Sequence, residues 1–297
     1  MGILLGVLAA FSFAVASLAI RLGMRTKEPD DGVFVSIVVN VLMLGVVGLF
    51  VTKPDWTTAG VFALASAGVV GNFGGRFWTM RAVRHVGTTR AAAFTTGTPV
   101  VAAIFGWVIL DEALGLIEAI GGGLVIGGLL VPIRARSRAA PPRGRHLSSE
   151  ASTLVGYFHA ALGPILFGLA FVIRKWGLGE YDSAVLGALI GSLAALLIVV
   201  SIEAGTGRLP VRVTDNLREV SWWLVAAGVA TSFALLFQFA AFGFLPAWVV
   251  GTLQGTQGLW ALVLGYMFLR EEERIDRIVV VSILIVTAGV TIISVQV

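Results

Sequence analysis

The chain has 297 residues, of which 57% are hydrophobic and only 13% are charged, and its mean hydropathy is +0.94. About a quarter of the residues in a soluble domain are charged, so this composition excludes a water-soluble globule and predicts a protein of the lipid bilayer. The net charge of +4 comes from arginines between apolar runs, without interleaved aromatic residues, so no nucleic-acid partner is expected, and the lack of cysteine excludes disulfides and thiol chemistry.

Ten apolar segments of about 20 residues follow one another, each long enough to cross the membrane as a helix. We predict spans at 3–22, 32–51, 58–80, 88–110, 114–133, 153–173, 183–202, 219–243, 247–269 and 276–296. A polar, arginine-rich stretch at 134–152, which contains Pro141 and Pro142, is the predicted linker between the fifth and sixth spans. Arg174 and Lys175 follow the sixth span and are assigned to the loop after it.

The first five spans and the last five share a pattern at a constant offset of 159 residues. The matched pairs are Ala82 and Ala241, Thr95 and Gln254, and Thr98 and Gln257. Because five is an odd number, the second copy must enter the membrane from the opposite side. We therefore predict an all-α membrane protein of ten transmembrane helices, built as two inverted five-helix repeats at 1–133 and 153–297. This architecture is typical of alternating-access transporters.

The sequence from Pro99 to Glu112, followed by the glycine-rich stretch 120–128, resembles the repeat of the drug/metabolite transporter (DMT) superfamily and is most similar to its EamA-domain family. The segment Met80-Arg-Ala-Val-Arg is similar to the end of that family's third helix, although Gly258 replaces the matching proline in the second half. The resemblance implies a secondary transporter, expected to be an exporter, for a small polar or amphipathic metabolite. It also implies a multi-pass protein of the plasma or inner membrane, with a central cavity built mainly by helices 1, 3, 4, 6, 8 and 9.

Arg76 is the sharpest candidate for solute binding, because it lies inside the third predicted span. An arginine at the bilayer centre costs about 2.5–3.5 kcal/mol on insertion scales, so its presence indicates a function. Asn72 and Thr79 lie four residues before it and three residues after it, on the same helical face. A guanidinium binds carboxylate or phosphate through parallel hydrogen bonds, so this face is predicted to bind an anionic group. The alternative is a structural arginine that bonds to backbone carbonyls or reaches the headgroups.

Other polar residues inside the predicted spans are further candidates for lining the cavity. They are Ser12, Thr95, Thr98, His159, Gln238, Gln254 and Gln257. For the threonines and glutamines the alternative is hydrogen bonding between helices, worth about 0.6 kcal/mol on average. Ser12 could instead bond to its own backbone, and His159 could be a proton relay or a helix-packing group.

No Asp or Glu lies in the middle of any predicted span, which argues against proton-for-cation exchange and favours neutral, zwitterionic or anionic solutes. The three histidines lack metal-ligand spacing, so we expect no metal, no cofactor and no enzyme activity. The expected partners are a small-molecule solute and the bilayer, with a monomer or homodimer as the assembly. The alternative functions are a flippase for lipid-linked substrates and a non-transporting membrane subunit.

Overall fold

The computed structural model of the protein describes residues 1–23, 29–51, 57–86, 94–95, 97–112, 115–138, 150–268, 281, 284–290 and 292. The described residues form helices and connecting turns, and no strand occurs among them. The helices of the first half are α1 (Gly2–Gly23), α2 (Pro29–Gly48), α3 (Thr58–Ala67), α4 (Arg76–Val86), α5 (Thr98–Leu110) and α6 (Leu116–Arg138). Those of the second half are α7 (Glu150–Glu180), α8 (Ala184–Gly205), α9 (Leu209–Arg218), α10 (Trp222–Phe242), α11 (Ala247–Gly255) and α12 (Gln257–Phe268).

Helical residues occur in each of the ten predicted spans, and five helices are long and apolar enough to cross a membrane. Those five are Gly2–Ile20, Thr58–Thr79, Val155–Glu180, Ala184–Gly205 and Trp222–Phe242. Shorter apolar helices cover Phe34–Gly48, Thr98–Leu110 and Ala119–Gly128. The start of the predicted fourth span and most of the tenth lie outside the described residues. The protein is therefore an all-helical membrane protein, and the crossing of all ten segments stays a prediction.

The predicted boundaries around the linker differ from the observed helices. α6 continues to Arg138 and α7 begins at Glu150, so both helices enter the stretch that was predicted to be a linker, and residues 139–149 lie outside the described part. Exposed polar residues are compatible with helix once the segment leaves the apolar core of the membrane. The loop between the seventh and eighth predicted spans also contains the short helix α9, whose Arg212 pairs with Glu203 at 3.2 Å.

The third predicted span is one continuous helical rod with a π-helical segment, Gly68–Gly75, between α3 and α4. Thr57 caps the start of α3 by accepting a hydrogen bond from the Gly60 amide, and Ser183 caps α8 in the same way from Leu186. A side-chain oxygen at the N-cap satisfies one of the free amides of the first helical turn. Such π-helical turns are frequent at functional sites, because the extra residue redirects the side chains that follow.

Close contacts at glycine hold the two halves together. Helices in lipid gain little from the hydrophobic effect when they associate, so approach through small residues takes its place. A Cβ added at Gly68 would lie 2.0 Å from the carbonyl oxygen of Gly191 on α8. One added at Gly6 on α1 would lie 2.5 Å from the Leu253 side chain on α11. The interface between the halves is therefore tightly packed, and the core residues cluster along it.

Candidate functional site

Arg174 is buried inside the bundle, which corrects its assignment to a loop. It lies within α7, which continues five residues beyond the Arg174-Lys175 pair to Glu180, and only 3% of its surface is exposed. A basic pair such as Arg174-Lys175 after an apolar run is typical of the end of a span, here the sixth predicted span. The signal that places it inside the helix is the continuation Trp176-Gly-Leu178, which is apolar and lacks proline. A charged residue at membrane depth costs several kcal/mol if it is unpaired, so its surroundings are the natural place for a site.

The guanidinium of Arg174 joins side chains from the two halves. Nη1 donates to Oε1 of Gln238 on α10 at 2.6 Å, and Nη2 donates to Oδ1 of Asn72 in the π-helical segment at 2.7 Å. The rings of Phe171 and Phe239 lie 5.7 and 5.4 Å from its central carbon. Both hydrogen-bond partners are neutral amides. The arginine is therefore solvated by dipoles and ring faces, without a carboxylate among these contacts.

The hydrogen bonds continue from Gln238 to α1. Gln238 Nε2 donates to Oε1 of Gln254 at 3.1 Å, and Gln254 Nε2 donates to Oε1 of Gln257 at 3.1 Å. Gln257 Nε2 donates to the Ser17 hydroxyl at 3.0 Å and lies 3.4 Å from the carbonyl oxygen of Phe13. We name this chain of side chains the polar ladder: Asn72, Arg174, Gln238, Gln254, Gln257 and Ser17. Its two ends lie in the first half of the protein, and its middle lies in the second.

Arg76, the sequence-predicted anion ligand, lies beside the polar ladder. It is the first residue of α4, directly after the π-helical segment that holds Asn72, and its side chain is partly buried. Asn72, which accepts the hydrogen bond from Arg174, lies four residues before Arg76 on the same helical segment. Gly71 makes room for the neighbouring guanidinium, since a Cβ there would lie 3.1 Å from Nη2 of Arg174. The site thus contains two guanidinium groups where one was expected.

Three of the predicted lining residues lie in other surroundings near the same helices. Thr79 packs against Gly163 on α7, where an added Cβ would be 2.5 Å from the threonine hydroxyl. The Thr98 hydroxyl donates to the carbonyl oxygen of Thr95 at 2.8 Å, which closes the turn before α5. Thr98 is buried and Thr95 is partly buried. Their role in lining a cavity stays a prediction.

Ser12 and His159 lie away from the polar ladder. Ser12 lines an apolar groove between α1 and α10 with Phe11, Val15 and Phe233. His159 is buried in α7, and its ring lies 4.9 Å from the ring of Trp78. The two positions lie in apolar and aromatic surroundings, and the proton-relay hypothesis for His159 stays a prediction.

A second polar contact between the halves lies at one end of the bundle. Both carboxylate oxygens of Glu112 accept a hydrogen bond from the amide of Ala247, at 2.9 and 3.1 Å, at the start of α11. Asp111 adopts a left-handed conformation with φ of 52°, which turns the chain so that the Glu112 carboxylate lies over Gly106. Lys175 Nζ donates to the carbonyl oxygen of Phe242 at 2.5 Å. We name this set of contacts the Glu112 clasp.

The Glu112 carboxylate is half-buried, and its burial raises its pKa above the usual range. The amide of Ala247 and the charge of Lys175 oppose that shift. A carboxylate at a helix N-terminus is also favoured by the helix dipole. Within the part of the chain that the structure describes, no group of three His, Cys, Asp or Glu side chains could hold a metal ion.

The model of one protein family, described as the EamA-like transporter family, matches residues 1–133 and 154–295. No curated protein is significantly similar in sequence. A solved structure, described only as a crystal structure of a protein, superposes with a TM-score of 0.73 over 99% of this chain and 96% of its own, at 14% identity, which concerns the fold alone. Since the family model matches one stretch in each half and nearly all of the chain, this protein belongs to the EamA-like transporter family and is a membrane transporter of the DMT type.

Proposed function

We propose that the protein is a secondary transporter that moves a small polar or amphipathic metabolite by alternating access of its two halves around the polar ladder. Its ten spans form two inverted five-helix repeats, 1–133 and 153–297. The observation that carries the proposal is the position of the polar ladder, which crosses from one half to the other at both of its ends. Export, the plasma or inner membrane as location, and a monomer or homodimer as assembly stay predictions from the family resemblance.

The polar ladder suits a transported solute because its members bond mostly to one another. A typical internal hydrogen bond contributes only about 0.5–1.5 kcal/mol net, so a polar solute can replace such bonds at little cost. A ligand site at the interface of two repeats, near the middle of the membrane, is the common arrangement in secondary transporters. Asn72, Arg174 and Gln238 are buried among apolar helices, where a polar contact with a solute is stronger than it is in water.

The directions of the helices support an inverted relation between the halves. Gly2, at the start of α1, packs against Leu245 just after the end of α10. Lys175, near the end of α7, bonds to Phe242 at the end of α10. The first helix of one half therefore begins at the end of the bundle where the first helix of the other half ends. Opposed first helices are what two inverted five-helix repeats require.

The Glu112 clasp supports a closed state at this same end of the bundle. Its Glu112 bond joins the end of α5 to the start of α11 across the two halves, and its Lys175 bond joins α7 to the end of α10. Alternating access requires such contacts to form on one face while the other face opens. We assign the Glu112 clasp to the closed gate of that face.

A solute transporter fits the surface better than a flippase does. Ser12 is the one polar residue that lines the groove between α1 and α10. A lipid headgroup passing through this groove would need polar or basic contacts, which this lining does not supply. The polar ladder, by contrast, is buried at Asn72, Arg174 and Gln238 and reaches the surface at Ser17.

A crosslink between the halves tests alternating access directly, because the chain has no cysteine of its own. The Gly6→Cys/Leu253→Cys variant places two thiols on α1 and α11, where a Cβ at Gly6 would lie 3.2 Å from that of Leu253, close to the spacing in disulfides. Proteoliposome uptake is first measured for a panel of amino acids, organic acids and nucleotides. Oxidation should then stop uptake in the double variant and reductant should restore it, and oxidation should leave the uptake rate of each single variant at its own starting value. Full uptake through the crosslinked protein would exclude rocking of the two halves.

Single cysteines test the inverted topology. Leu49 and Asp182 are exposed near the end of the bundle that holds the Glu112 clasp, and Thr206 is exposed after α8 at the opposite end. Leu49→Cys and Asp182→Cys should react with an impermeant thiol reagent from one side of the membrane, and Thr206→Cys should react from the other side. Labelling of all three from the same side would contradict the ten-span arrangement.

A further inference from the structure

We propose that the transported solute carries an oxyanion, a carboxylate or a phosphate, and that this group binds between the guanidinium groups of Arg174 and Arg76. The inference deepens the proposed function and rests on it, because it names the chemical class of the solute that the polar ladder takes. Three observations carry it: the two arginines in one buried region, the unpartnered Nε of Arg174, and the setting of its guanidinium.

The first observation is that two cations lie in one buried region, and among the described residues neither forms an ion pair with a carboxylate. Arg174 is almost fully buried and bonds to Asn72, and Arg76, which is partly buried, follows Asn72 by four residues. The ion pair found among the described residues, Arg212 with Glu203, lies elsewhere. Buried charges in proteins are normally paired, so a buried arginine that has neutral partners and a second arginine nearby indicates that the missing partner is a ligand.

The second observation is the set of donors on Arg174. A guanidinium has five N–H groups, and two of them bond to Asn72 and Gln238. The Nε atom is buried and has no hydrogen-bond partner. Its planar fork matches the two oxygens of a carboxylate or phosphate, and a charged acceptor binds more strongly than the neutral amides now in place.

The third observation is the setting of the guanidinium. Gly71 lets the guanidinium pack closely against the π-helical segment, since an added Cβ would lie 3.1 Å from Nη2, and the rings of Phe171 and Phe239 restrict the plane of the group. When an anion takes the place of the Asn72 and Gln238 oxygens, the amide nitrogens of the same side chains can donate to it. The neutral remainder of the solute then faces the glutamines of the polar ladder.

Thermal stability of the purified full-length protein tests the site without knowledge of the natural solute. The probes are sodium acetate and sodium phosphate, with sodium chloride at equal ionic strength as the control. At about a hundred times its Kd, a bound probe should raise Tm by about 5 °C. A response to acetate alone assigns a carboxylate, and a response to phosphate alone assigns a phosphate. No response to either probe would overturn the proposal.

Substitutions locate the response. Arg174→Gln should abolish it, Arg76→Gln should weaken it at least tenfold in Kd, and Arg212→Gln, on α9, should keep it. An undiminished response in Arg174→Gln would refute the site.

A second variant, which adds a carboxylate next to Arg174, tests the site if Arg174→Gln fails to fold. Asn72→Asp places a carboxylate 2.7 Å from Nη2 of Arg174, where it should act as a tethered ligand. This variant should have a higher Tm than the parent without any probe and should no longer respond to acetate or phosphate. Asn216→Asp, which adds the same charge on α9, is the matched control and should behave like the parent. A parent-like probe response in Asn72→Asp would overturn the proposal.

The uptake assay separates this proposal from the proposed function. If the protein takes up only neutral solutes and its Tm does not respond to either probe, the oxyanion proposal is refuted and the proposed transport function is retained. A probe response that depends on Arg174, without uptake of any anion, would leave the binding site in place and contradict transport through it.

Discussion

Gly68 is the point where the π-helical segment and α8 approach most closely, so replacing it by alanine perturbs the site through the backbone alone. Asn72, which bonds to Arg174, lies one turn further along the same segment. A methyl group at position 68 adds no charge and no polar atom. Any effect of Gly68→Ala therefore reports on the packing that positions the polar ladder.

The size of the effect follows from the distances. The added Cβ would lie 2.0 Å from the carbonyl oxygen of Gly191 and 2.4 Å from its Cα. Cβ atoms in proteins essentially never approach another heavy atom this way at less than 3.0 Å. These are backbone atoms, so the helices must separate by about 1 Å at the overpacked crossing, which costs about 1–3 kcal/mol. The same shift stretches the bond between Asn72 and Arg174, which is worth about 1.5–3 kcal/mol. The two terms together amount to about 2.5–6 kcal/mol, which lowers Tm by at least about 5 °C.

The assay is thermal unfolding of the purified protein in detergent, with solute uptake in proteoliposomes as the second readout. Gly45→Ala in α2 is the matched control, because nothing lies within 4 Å of a Cβ added there. We expect it to keep or slightly raise Tm, by removing conformational freedom from the unfolded chain. Equal Tm values for Gly68→Ala and Gly45→Ala would refute the tight crossing and the argument built on it.

Three further substitutions test other parts of the structure. Burial raises the pKa of Glu112, so the folded state holds its proton more tightly than the unfolded chain does. Tm of the parent should therefore fall as the pH rises from 4.5 through the raised pKa. A similar fall in Glu112→Gln would show that another group causes the pH dependence. Gln257→Ala breaks the bonds to Gln254 and Ser17 and should reduce uptake more than Ser17→Ala does; the reverse order would argue against the polar ladder. Ser183→Ala removes the N-cap of α8 and should lower Tm by about 2–4 °C. It should not change KM for uptake. A changed KM would show that this end of the bundle contributes to the site.

The sequence singled out several members of the polar ladder as cavity candidates because polar residues inside apolar spans are rare and costly, and their role in lining a cavity stays a prediction. Asn72, Gln238, Gln254 and Gln257 were all singled out on this basis, and the structure brings them together. Ser12 was singled out by the same reasoning but lies in an apolar groove, and Ser17, one helical turn further, bonds to Gln257. Which of two serines on α1 reaches Gln257 depends on how that helix is rotated against its neighbours.

Glu112 illustrates a second kind of limit. The acidic turn was recognised as part of the repeat, but its partner lies 135 residues away in the other half. The left-handed conformation of Asp111 sets the direction of the Glu112 carboxylate, and Gly106 leaves the space that it occupies. Neither the direction nor the space is visible in a pattern of polar and apolar residues.

Composition and periodicity by themselves determined that the protein lies in a membrane, that it is helical, and that its halves are related, because each depends on apolar residues distributed along the chain. Only the tertiary structure decided that Arg174 shares the site with Arg76. A basic pair at the end of an apolar run is typical of a loop, and only the continuation of α7 to Glu180 carries the pair into the bundle. The partners of Arg174 lie 64 and 102 residues away, so their meeting depends on how the helices pack.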